Sequence, residues 1–105
     1  MSPSLHPRPW FALPGALLLL LLSACAVSPP VQEMSNARQT IQSAYEVKAQ
    51  RYAPVALKQA EQLLKQATSA LDSGDYPAAR EYAIAAQQQA VKARQQALAN
   101  NKNGN

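Results

Sequence analysis

The chain reads as an all-α protein, a small antiparallel three-helix bundle. Three observations carry that reading. The part after residue 24 is rich in Ala and Gln, both good helix formers. It has few β-branched residues and no alternating apolar run, so strand signals are missing. Its apolar residues recur at three- and four-residue steps, the spacing of a single helix face.

Ahead of the helical part lies a segment with the layout of a secretory signal. A short start carries His6 and Arg8, an apolar core runs from Trp10 to Leu22, and small residues Ser23 and Ala24 come next. The layout predicts a cleaved signal peptide over residues 1–24. A retained membrane span is the alternative, but the uncharged stretch is near the minimum length and Pro14-Gly15 interrupts it. Leu22-Ser23-Ala24-Cys25 closes the segment and holds the chain's one cysteine. This tetrapeptide resembles the lipobox of bacterial lipoproteins. The resemblance implies that Leu22, Ser23 and Ala24 are read by the signal peptidase. It also implies that Cys25 carries a diacylglycerol and an N-acyl lipid, a covalent anchor rather than a cofactor. One acyl chain holds a protein only marginally and two or more hold it stably. Residue 26 is Ala and not Asp, which by the same family analogy implies the outer membrane, with the protein on its periplasmic face.

A lipidated linker is expected over 25–32, stiffened by Pro29-Pro30. The helical domain follows over 33–99. The first helix is expected from Glu33 to Gln50, with Ser35 or Asn36 as the cap if it starts late. Met34, Ala37, Ile41, Ala44 and Tyr45 fall on one face, and Tyr52 extends that column by one heptad. Pro54 ends the segment, because the residue before a proline avoids the helical region.

The second helix starts at Pro54, where the missing N–H costs nothing. Leu57, Ala60, Leu64, Ala67 and Leu71 step by three and four, flanked by Ala56, Leu63 and Ala70, and make one broad apolar face. Asp72-Ser73-Gly74-Asp75-Tyr76-Pro77 is the sharpest turn in the chain. Gly74 suits the left-handed end of a helix, Asp75 suits the next N-cap, and Pro77 fits the first turn beyond it. So short a connection makes the flanking helices antiparallel neighbours.

The third helix is expected from Tyr76 to Leu98. Its seam is Ala79, Ala83, Ala86, Ala90, Ala93 and Ala97, which lets a neighbour come close but buries little area per contact. A second stripe, Ile84, Val91 and Leu98, lies about 120° around the helix at 100° per residue. The simpler expectation is that both stripes pack inside, one against each partner helix. The alternative is a face for another protein, either on this second stripe or on the side of the first helix that carries Tyr45 and Tyr52. The tail over 100–105 is polar and is expected to be disordered.

Gly74-Asp75-Tyr76 followed by Ala79, Ala83 and Ala86 is similar to the turn and second helix of a tetratricopeptide (TPR) repeat. One hairpin is present, and stacking into a solenoid needs about three repeats. A wider pattern adds Ala37-Arg38 with Ile41, and Arg51-Tyr52-Ala53-Pro54 with Leu57, Ala60 and Leu64. Ala70-Leu71 and Ala79-Arg80 complete it. It resembles an uncharacterised family of short bacterial lipoproteins carrying a domain of unknown function. That resemblance implies fold and location and supplies no activity.

Composition narrows the function. From Cys25 onward there are about 80 residues, one small domain, with nine Lys or Arg against six Asp or Glu. The cations are scattered and not interleaved with aromatics, so nucleic acid is not expected as a partner. This part has no histidine, and its cysteine is expected to be lipid-blocked, which removes the commonest nucleophile, base and metal ligands. No glycine loop cradles a phosphate. The reading is therefore a non-enzyme with no catalytic residue, no metal site and no small-molecule substrate. It is expected to be a lipid-anchored periplasmic adaptor or structural module of the cell envelope, held to the membrane and binding an envelope protein or itself. The alternative is a small lipoprotein whose amphipathic helices perturb a bilayer. Its mildly charged, Gln-rich helices lack Trp and Phe, which is poor composition for that task.

Overall fold

The computed structural model describes residues 28–103. The expected signal peptide and Cys25 lie outside that range. The described chain is all-helical, with four helices: α1 Val31–Glu46, α2 Ala49–Tyr52, α3 Pro54–Asp72 and α4 Tyr76–Asn103.

Helix α1 begins directly after Pro29-Pro30, inside the expected linker, with Pro30 at the cap position and no side-chain cap. The Met34 N–H donates to the Pro30 carbonyl at 3.0 Å. Ser35 and Asn36 therefore sit within the helix and do not cap it. Glu33 lies in the first turn, where a carboxylate complements the exposed N–H groups.

The expected single helix to Gln50 is broken. Lys48 has φ +64°, a left-handed conformation that costs a non-glycine residue about 1–2 kcal/mol. The reason lies in register. Ala44 and Ala49 are five residues apart, about 140° around a continuous helix, yet both are fully buried. The kink at Val47-Lys48 turns the chain so that Ala49 and Ala53 also face the core. The single turn of α2 then ends at Ala53, and Pro54 opens α3 at its first position.

Helix α3 ends in a Schellman motif. Gly74 has φ +82°, its N–H donates to the Leu71 carbonyl at 3.0 Å, and the Asp75 N–H donates to the Ala70 carbonyl at 2.9 Å. Asp75 then caps α4, accepting from the Ala78 N–H at 3.2 Å. The turn thus closes one helix and opens the next within three residues.

Helix α4 is the centre of the packing. It has 28 residues, about 42 Å of helix. Helix α3 runs antiparallel to it. Helix α1, with α2 continuing in the same direction, runs parallel to it, as cross-links at three levels establish. Arg80 meets Glu33 at 3.5 Å and donates to the Ser28 carbonyl at 3.2 Å. Arg94 Nε donates to Ser43 Oγ at 2.8 Å. Asn100 Nδ2 donates to the Tyr52 carbonyl at 2.8 Å. That last bond ties down residues expected to be a disordered tail, and the helix continues to Asn103.

The core is built of alanine. Of sixteen buried hydrophobic residues among those described, thirteen are alanine, the others being Met34, Ile41 and Leu57. All six seam alanines of α4 are fully buried. Leu64, half-buried, packs against both buried clusters, one around Met34, Ala67 and Ala83 and the other around Ile41, Leu57 and Ala90.

Candidate functional site

Two neighbours rest on one face of α4, and this decides the fate of its second stripe. A seam of methyl groups is narrow, so α1 and α3 both approach it closely and occupy it together. The expectation that each stripe takes one partner helix is therefore corrected. Ile84, Val91 and Leu98 remain 41%, 38% and 42% exposed. The polar residues beside them, Glu81, Gln88, Gln95 and Lys102, are exposed as well.

Tyr45 and Tyr52 do not join that stripe. The break at Lys48 separates them, so the expected shared column is lost. The Tyr45 hydroxyl is committed to α3, donating to Glu61 Oε2 at 2.8 Å. This hydrogen bond holds its ionisation above the ordinary tyrosine range, with slight desolvation and the Glu61 charge acting in the same direction. Tyr52 is half-buried against the core. The Arg51 guanidinium lies 5.2 Å from its ring centroid, within cation–π reach. Tyr45 nevertheless stays 41% exposed, as open as the three aliphatic residues of α4.

Two features escaped the sequence. One is the clamp formed by Arg94 with Ser43 and Asn100 with Tyr52, whose partners lie some fifty residues apart; no local pattern marks such pairs. The other is an open groove of about 700 Å³ between α3 and α4, lined by Gln62, Lys65, Gln66, Ser69, Ser73 and Tyr82. It is open, its lining mixes polar and apolar surface, and it holds no cluster of acid–base groups. Nearby, Gln89 Oε1 is buried without a protein hydrogen-bond partner. Among the described residues no three His, Cys, Asp or Glu side chains come together as a metal site. No described helix is long and apolar enough to cross a membrane.

Residues 32–103 match the family model of a domain of unknown function, DUF4398. That span takes in all four helices except Val31, the first residue of α1. The chain belongs to the DUF4398 family. No curated protein and no solved structure matches it. The DUF4398 domain is thus the helical unit itself, from the first turn of α1 to the end of α4. Its surface stripe, alanine seam and capped turn all lie inside the family's boundaries.

Proposed function

We propose that this DUF4398 protein is a lipid-anchored, non-catalytic adaptor or structural module of the bacterial cell envelope. Its partner is a protein bound through helical surface. We read the three long helices as an antiparallel three-helix bundle whose α3–α4 hairpin is TPR-like. Cys25 is the attachment point, following cleavage after Leu22-Ser23-Ala24, and the outer membrane is the destination.

The observation that carries the binding role is the exposed Ile84–Val91–Leu98 stripe. It is regular over two heptads and lies on the most extensively packed helix, where a rigid face costs little entropy to present. The anchoring role rests on the lipobox-like sequence. The bilayer-perturbing alternative is less well supported. The apolar faces of α1 and α3 are turned inward through Ala37, Ile41, Leu57, Ala60 and Ala67, and they would reach lipid only if the domain opened.

Two measurements test the reading. Mass spectrometry and membrane fractionation of the full-length chain should show acylated Cys25, lost together with membrane attachment in Cys25→Ser. A photocrosslinking residue at Ile84 should capture protein in the intact envelope. A soluble, unacylated wild-type chain would refute the anchor. Capture of lipid alone at Ile84 would refute the adaptor.

A further inference from the structure

We infer that the exposed stripe of α4 binds a second copy of this chain, with the two α4 helices antiparallel. The inference rests on the adaptor reading above and names its partner.

The argument begins with the order of residues along the exposed face. Glu81, Ile84, Gln88, Val91, Gln95, Leu98 and Lys102 step by three and four, and all are exposed. This is a second row along α4, distinct from the fully buried alanine seam. Its order is self-complementary. Pairing Val91 with Val91 of a second antiparallel copy sets Ile84 against Leu98 and, to within one residue or about 1.5 Å of rise, Gln88 against Gln95 and Glu81 against Lys102. Apolar residues meet apolar residues, amides meet amides, and each acid meets a base at both ends. Among the described residues neither Glu81 nor Lys102 has an ion-pair partner. A parallel pair would instead set Glu81 against Glu81 and Lys102 against Lys102.

The rest of the surface favours the same direction. The end of the domain at the α4 N-terminus carries Asp72, Asp75 and Glu81, while Arg80 there is already paired with Glu33. The opposite end carries Lys48, Arg51 and Lys102, offset by Glu46. Head-to-tail approach brings unlike charges together at both ends, which steers encounter and weakens with salt. Three aliphatic side chains per copy make a small interface, of the kind that depends on local concentration.

Engineered cysteines in the full-length chain, expressed in a bacterial envelope and oxidised there, test this geometry. The wild-type chain gives the background from Cys25. Val91→Cys should form a disulfide homodimer. Ile84→Cys and Leu98→Cys should each fail alone and succeed when co-expressed, because like positions lie about 21 Å apart across an antiparallel pair. Glu81→Lys should lower the Val91→Cys dimer yield roughly tenfold by turning two attractions into repulsions, and adding Lys102→Glu should restore it. A dimer through Ile84→Cys alone would overturn the antiparallel arrangement. No dimer at Val91→Cys, with protein capture at Ile84 intact, would overturn self-association while leaving the adaptor reading standing. Absence of both would overturn both.

Discussion

Lys48 is the residue at which local conformation is sacrificed to packing. Its left-handed backbone brings Ala49 and Ala53 onto the core side of the chain. Lys48→Gly should keep the kink and relieve the strain. Stability should rise by about 0.5–1 kcal/mol after the greater freedom of the unfolded glycine is subtracted, read as a higher urea midpoint. Tyr45 offers a second test. Its hydroxyl donates to Glu61 and its ionisation is raised. A raised folded-state value means that the bond's contribution is complete below the ordinary tyrosine range and is lost as pH climbs through the folded value. Unfolding midpoints of the wild type and Tyr45→Phe should therefore converge at strongly alkaline pH and differ near neutrality.

The α3–α4 turn is the element whose boundaries are most tightly specified. Pro54 opens α3, Gly74 ends it, and Asp75 caps α4. An added Cβ at Gly74 would meet no atom within 4 Å, so the penalty of Gly74→Ala is purely conformational. It should cost about 1 kcal/mol and lower the thermal midpoint, with the far-UV circular dichroism spectrum unchanged. These boundaries were legible because Pro and Gly act locally, through a missing N–H and a permitted positive φ. The end of α1 was not legible. Neither Val47 nor Lys48 is a turn residue, and the break follows from the register of Ala49 against a distant helix. The end of α4 was missed for a related reason. Asn100 looks like tail polarity until its amide is seen to hold the Tyr52 carbonyl.

At the scale of the whole molecule, the alanine core sets both closeness and fragility. Small side chains let α1 and α3 share one face of α4, and that sharing leaves Ile84, Val91 and Leu98 outside. Ala90→Leu would force a bulky side chain between closely approaching helices. It should destabilise the protein by about 2 kcal/mol or more, seen as a lowered thermal midpoint. Val91→Ser, on the exposed stripe, should change stability by less than about 0.5 kcal/mol in the same measurement. This contrast separates the two stripes of α4, which look alike as periodic patterns.

Helix content, the turn at Gly74 and the alanine seam follow from the sequence by itself, because they depend on propensity, capping chemistry and periodicity within one segment. Which apolar stripe is covered, where α1 breaks and which tyrosine meets which partner were decided only by the tertiary structure. Those outcomes depend on the distance at which two helices can share a seam of methyl groups, and that distance is a property of the assembled helices rather than of any one of them.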